Sequence, residues 1–283
     1  MELTLTKKST FIGGGIILVG GLFIFLFFDA FYGGNKFRTM QDKIYSLENI
    51  ELKGLRELKA SGGNLPRLHY VSWKLSHIQE PKIILDLKSE FHGYIKGIPT
   101  TFFAYNRSEP ALRHIPRRYL ITGSIDILPD HVLPEEDEVK KFGFAYKSID
   151  VGSKFIATDE QIDELVTFFD TLPKNTWVHI HCTNGAGRTS TALAMLDIMK
   201  NAPDVTLDQI VKRQYLLGSV NLFDTEVWKG GTYTKEELEN RKKFIENFYV
   251  FICERKAGKI QVWSEWQRKQ KNKLLASPVT FSS

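Results

Sequence analysis

VHIHCTNGAGRTS, residues 178–190, decides how this chain is read. An apolar β-type run ends at Cys182, glycines follow at 185 and 187, and from Arg188 to Lys200 the sequence becomes a helix-forming run rich in Ala, Leu and Met. The order is strand, loop, helix. A phosphate dianion needs several converging N–H donors and a fixed positive charge, and a loop wrapped from Cys182 to Arg188 at a helix N-terminus supplies both. Thr183, Asn184, Gly185, Ala186 and Gly187 would lend their amides, and the two glycines permit close backbone approach. Arg188 can grip two phosphate oxygens with its planar fork, which a lysine cannot do. The same field favours an anion on sulfur, so Cys182 is expected to be a thiolate nucleophile, with Thr189 or Ser190 donating to it. A nucleotide-binding loop is excluded, because no lysine follows the last glycine and the glycine spacing differs.

The remaining composition is that of a globular protein. Hydrophobic residues make up 42% of 283, charged residues 25%, and the net charge of +5 is spread along the chain. That balance suits an anionic substrate or a membrane surface, and no basic block or base-stacking motif points to nucleic acid. Only two cysteines occur, Cys182 and Cys253, so neither a disulfide framework nor a zinc site is implied, and no metal or cofactor is expected. Cys253 falls on an apolar helix face and reads as core.

No charge interrupts Ser9 to Phe28, and Phe11–Phe28 (FIGGGIILVGGLFIFLFF) is long enough to span a bilayer. Five glycines in that run suit a membrane span better than a soluble helix. The exit at Phe28, Asp29, Ala30 and Phe31 lacks the small residues of a cleavage site, which favours a single-pass membrane anchor over a cleaved signal; cleavage would instead make the chain secreted or periplasmic. The expected organisation is an anchor at 1–35, one domain at 36–275 and a tail at 276–283.

Within that domain Lys82–Leu87, Ala145–Val151 and Trp177–His181 read as strands. Thr158 with Gln161, Thr206 with Gln209 and Thr234 with Glu237 have capping-box spacing, and each opens a helical pattern. Ile162, Leu165, Val166 and Phe169 form one apolar stripe; Leu238, Ile245, Phe248, Tyr249 and Ile252 form another. Strands alternating with helices predict an α/β sheet flanked by helices, with a helical C-terminal third.

HCTNGAGRT at 181–189 resembles the signature loop of the protein tyrosine phosphatase-like inositol phosphatases, the bacterial cysteine phytases. KFRTM at 36–40, GLRELKASG at 54–62, DLKSEFHG at 86–93, LPKNTWVHIHC at 172–182, KRQYLLGSVNL at 212–222 and WSEW at 263–266 extend the resemblance over nearly everything after the N-terminal segment. It implies a phosphatase-like sheet flanked by helices. It also implies that Arg38, the DLKSEFHG segment and Lys229 contact peripheral phosphates or the site wall, and it raises Gln214 as a residue that positions water.

One departure stands out. The family carries Asp-His, then Pro three residues after the Asp, as its general-acid loop, and counting back through the matching helix places these at Ser153, Lys154 and Ala157. The acid is missing, a loss worth about 10²- to 10⁴-fold in rate. Asp150 at the strand end is the first replacement, with Asp159 and Asp130 as others. The expectation is therefore a phosphatase acting on an inositol polyphosphate, a phosphoinositide or a phosphoprotein through a cysteinyl-phosphate. The alternative is an impaired module that binds phosphorylated partners at a membrane.

Overall fold

The computed structural model describes residues 2–32, 36–105, 114–126, 129–155, 157–227 and 232–276. The chain opens with α1 (Glu2–Tyr32), β1 (Arg38–Thr39), β2 (Ala60–Asn64), α2 (Leu68–Lys74) and β3 (Lys82–Lys88). It continues through β4 (Gly93–Ile95), β5 (Ile98–Pro99), α3 (His114–Thr122), β6 (Leu133–Pro134), α4 (Glu135–Lys140) and β7 (Ala145–Asp150). It closes with α5 (Asp159–Thr171), β8 (Trp177–Cys182), α6 (Gly187–Asn201), α7 (Leu207–Leu216), α8 (Lys235–Lys256) and α9 (Trp263–Ala276). The single domain expected at 36–275 resolves into two units interleaved in sequence. One comprises residues 1–35, 66–77 and 92–138, the other residues 36–65, 78–91 and 139–283.

The larger unit holds a five-stranded sheet in the order β1-β2-β8-β3-β7, with β1 antiparallel and the other pairs parallel. All six residues of β8 are buried, as a central parallel strand covered on both faces requires. Register sets Asn64 opposite Cys182 and Asp86 opposite His181, so three strands reach the same carboxyl edge beside the loop. Ligands of open α/β sheets bind at that edge. The three expected strands are present within a residue of their expected ends.

All three threonine caps form. Thr158 and Thr234 make complete reciprocal capping boxes, while Thr206 accepts from the Gln209 N–H. The α5 stripe of Ile162, Leu165, Val166 and Phe169 packs into the core with Ile245, Phe248 and Ile252 of α8, while Tyr249 is half-buried. Helix α6 is buried from Gly187 to Met199, so it has no polar face to distinguish. Glycine explains how close it lies to the sheet: a Cβ on Gly62 of β2 would stand 2.7 Å from Leu193 and 2.9 Å from Thr189. Trp263 and Trp266 of α9 stack at 5.3 Å and join the same core, which accounts for the WSEW motif.

The smaller unit carries a three-stranded sheet, β5-β4-β6, over a cluster of Ala30, Ile95, Ile98, Phe102 and Phe103. The C-terminal turn of α1 is fastened here: Arg117 pairs with Asp29 at 2.9 Å and Arg67 donates to the Ala30 carbonyl at 2.9 Å. The side chains of residues 1–14 and 16 lie outside the described set, so the expected Phe11–Phe28 span is only partly covered. Among the described residues no helix is long and apolar enough to cross a membrane.

Candidate active site

Cys182 ends β8 and is 2% exposed. The chain then turns through residues 183–186 into α6, whose N-cap, Ala186, contributes no side-chain hydrogen bond. The first amides of a 15-residue helix are thus left to whatever the loop encloses. Gly185 takes φ +65°, and a Cβ there would lie 2.4 Å from the Asn64 nitrogen and 2.5 Å from the Gly63 carbonyl carbon. Only glycine fits. Gly187 is required for a different reason: a Cβ would meet the Tyr233 hydroxyl at 2.0 Å.

The functional side chains are individually anchored. Thr189 Oγ1 lies 3.2 Å from Cys182 Sγ and 3.2 Å from the Gly63 carbonyl oxygen. Of the two hydroxyls considered for the sulfur, it is Thr189 that reaches it. Ser190 instead accepts from Arg38 at 3.1 Å and from the Val220 N–H at 3.0 Å. Arg188 donates to the Leu87 carbonyl at 2.8 Å, to Ser89 at 3.0 Å, and to the two Glu90 oxygens at 2.7 and 3.2 Å. Burial works against its charge, but Glu90, Cys182 and Asp86 outweigh it and push its pKa up. Leu87, Ser89 and Glu90 of the DLKSEFHG segment thus hold the guanidinium in place. Asp86 also accepts from Tyr146 at 2.8 Å and stands 3.9 Å from His181.

Arg38 lies against the phosphate loop, in the site wall. It is 2% exposed and donates to Ser219, to the Lys36 and Gly185 carbonyls and to Ser190, all at 3.0–3.1 Å. Four of its five N–H groups brace the loop and its surroundings, and the side chain is buried in the wall. Burial lowers its pKa to about 10, against the pull of the Cys182 charge. Lys229 lies outside the described residues. Gln214, considered for water activation, is 1% exposed and donates to Asp197 at 2.8 Å, inside a buried network with Arg213. It holds α7 to α6.

Asp150 ends β7 at the carboxyl edge, opposite Lys88, and its Oδ1 accepts from the Gly152 N–H at 2.9 Å. Its carboxylate is therefore engaged in the turn that leads to Ser153. Asp159 accepts from Trp263 Nε1 at 2.9 Å, a structural task, and Asp130 sits in a short 3₁₀ turn of the smaller unit. The segment at the acid position is strained at Lys154 and Phe155, whose φ values are 58° and 63°. Lys154 donates to both Glu237 oxygens at 2.8 and 2.9 Å, and Phe155 packs on Phe244 at 5.3 Å. A cavity of about 200 Å³ lies beneath, lined by these residues with Asn240 and Arg241. Neither Tyr233 nor the Lys154–Glu237 pair was legible as part of a site, because no local spacing links positions so far apart in sequence.

The family model for PTP-like phytases, described by the words inositol hexakisphosphate, matches residues 127–200, including the Cys182 loop and most of α6. Over this stretch the chain is similar to the PTP-like phytases. The tandemly repeated PTP-like phytase of Mitsuokella multacida superposes with a TM-score of 0.64 at 26% identity, covering 82% of this chain and 46% of that one. The PTP-like myo-inositol phosphatase of the same organism, solved with myo-inositol-(1,3,4,5)-tetrakisphosphate, gives 0.63 at 27% with the same coverage. Among curated proteins, effector protein hopD2 of Pseudomonas syringae pathovar tomato is 24% identical over 82% of this chain and 56% of its own length. The chain thus spans about half the length of these relatives.

Proposed function

We propose that this chain is a cysteine-dependent phosphatase that hydrolyses phosphate monoesters of inositol polyphosphates through a cysteinyl-phosphate. The observation carrying this reading is the triad of contacts around one small loop: Cys182 Sγ at the N-terminus of α6, Thr189 Oγ1 3.2 Å from it, and Arg188 aimed by Glu90 at 2.7 Å. In the first step Sγ attacks phosphorus and the ester oxygen departs, while loop amides and Arg188 stabilise the equatorial oxygens. In the second, water attacks phosphorus, the S–P bond breaks, and the Thr189 hydroxyl eases departure of the sulfur anion. The inositol class is favoured over phosphoprotein by the family and by the ligand of the Mitsuokella phosphatase.

Replacing Cys182 with Ser should abolish phosphate release from p-nitrophenyl phosphate and from inositol hexakisphosphate alike; unchanged release would overturn the mechanism. The alternative, a module that binds phosphorylated ligands without turning them over, predicts phosphate binding that depends on Arg188 but no wild-type release. Wild-type phosphate release from inositol hexakisphosphate marks an enzyme, whereas a binding module stays inert even when Ser153→Asp restores the family acid.

We also propose that α1 attaches the chain to a membrane. Support comes from Ile17, Leu18, Val19, Leu22, Phe23, Ile24, Phe25, Phe27 and Phe28, which are all at least half exposed along one uncharged stretch of helix, an arrangement that only apolar surroundings stabilise. Flotation of the full chain with liposomes tests it, and recovery in the unbound fraction would refute it.

A further inference from the structure

Family likeness leaves a chemical gap, since an inositol alkoxide is a poor leaving group and the residue at the acid position is serine. We propose that the Tyr233 phenol gives the proton to the departing oxygen. This rests on the phosphatase reading above and adds to it the residue that completes the first step.

Position comes first. The phenol oxygen occupies the space that a side chain on Gly187 would fill, 2.0 Å from the ideal Cβ, so it lies on the first residue of α6 at the end of the phosphate loop. It stands near enough to Cys182 and Arg188 for both charges to act on it. Gly187 is not in the left-handed region, so its glycine serves this close approach alone.

Orientation follows from the neighbours. The ring is flanked by Arg241, with its guanidinium carbon 5.4 Å from the ring centre, and by Lys154, with Nζ at 5.6 Å. The Arg241 charge pulls the phenol pKa down, the direction in which a neighbouring cation favours a phenolate. Arg241 is itself 6% exposed, and its Nε has no partner among the described residues. A phenolate formed beside it would meet a positive charge already in place.

Protonation agrees with the geometry. Burial, followed by the charges of Cys182 and Glu237, raises the phenol pKa above its ordinary 10, although Arg241 and Arg188 pull it down. The group holds its proton throughout the neutral range. In the first step the S–P bond forms, the P–O bond breaks, and the phenolic proton passes to the ester oxygen, leaving alcohol, cysteinyl-phosphate and phenolate. In the second step the phenolate takes a proton from the attacking water, the S–P bond breaks, and phosphate, thiolate and phenol are restored.

Tyr233→Phe tests this, with p-nitrophenyl phosphate and inositol hexakisphosphate as paired substrates and thermal unfolding as the check on folding. The expected result is a roughly 100-fold loss of kcat on the inositol substrate against only a few-fold loss on the aryl ester, whose low-pKa leaving group departs with little help. An equal loss on both substrates, or none, would overturn the assignment while leaving the phosphatase reading intact. A wild type that cleaves the aryl ester but not the inositol ester would also overturn it. A wild type inactive on both would bring down the phosphatase reading itself, and the donor with it.

Discussion

Thr189 Oγ1 lies 3.2 Å from Cys182 Sγ and equally far from the Gly63 carbonyl, so one hydroxyl proton is shared between the nucleophile and the end of β2. When sulfur leaves phosphorus as an anion the proton can shift wholly to it, so the bond is worth most in the second step. Hydrogen bonds to charged groups contribute about 1.5–3 kcal/mol, or roughly 10- to 100-fold in rate. Thr189→Val, which keeps the shape, should slow hydrolysis of the cysteinyl-phosphate by that factor. Stopped-flow with p-nitrophenyl phosphate should show a burst of nitrophenol followed by a slow steady state; absence of a burst would place the role of the hydroxyl elsewhere.

Gly185 and Gly187 should respond differently to alanine. At 185 the left-handed backbone costs an L-residue about 1–2 kcal/mol, and the new Cβ would strike backbone atoms at 2.4 and 2.5 Å, which cannot yield without moving β2 or the loop. At 187 it would strike the tip of one tyrosine. Gly185→Ala should therefore lower the denaturant midpoint and remove measurable affinity for inorganic phosphate, whereas Gly187→Ala should keep both and lose alkyl ester turnover. Isothermal titration with phosphate distinguishes the two outcomes.

These glycines also show why the sequence was legible in places and not in others. Strands β3 and β8 are rich in β-branched and apolar residues, and the helices after Thr158, Thr206 and Thr234 announce themselves by caps, so local chemistry and final structure agree. Strand β2 is ASGGN, a sequence that reads as a turn, and it becomes a strand only because Gly62 lets α6 press against it. The smaller unit is built on strands of two or three residues, too short to show any alternation. Cys182, Arg188 and Thr189 were readable because they share one loop. The support beneath it was not, since Arg38 reaches Gly185 and Ser190 across about 150 positions.

Arg38 holds together Ser219, Ser190 and two carbonyls with one planar group. A lysine keeps the charge but has a single nitrogen on a flexible stem and cannot satisfy that fork. Arg38→Lys should weaken competitive inhibition by phosphate about tenfold, equivalent to about 1.4 kcal/mol, with kcat falling alongside. An unchanged inhibition constant would mean that the arginine serves only as a buried charge.

Glu237 ties the strained segment at 152–155 to α8, because the carboxylate that completes the Thr234 capping box also accepts both bonds from Lys154. Its pKa is lowered from 4.5, first by the Lys154 hydrogen bond and then by the Thr234 N–H. A carboxyl with a depressed folded pKa contributes stability that is complete above its unfolded value and is lost as the pH falls through the folded one. Glu237→Gln can still accept from the Thr234 amide but cannot carry the charge that Lys154 needs. The variant should therefore be less stable than wild type at pH 7, with faster hydrogen exchange at residues 152–155, and the gap should close as the pH drops below 4.5 through the lowered value. A gap that persisted undiminished in acid would show that the carboxylate charge does not hold the loop, and that Phe155 against Phe244 does so instead.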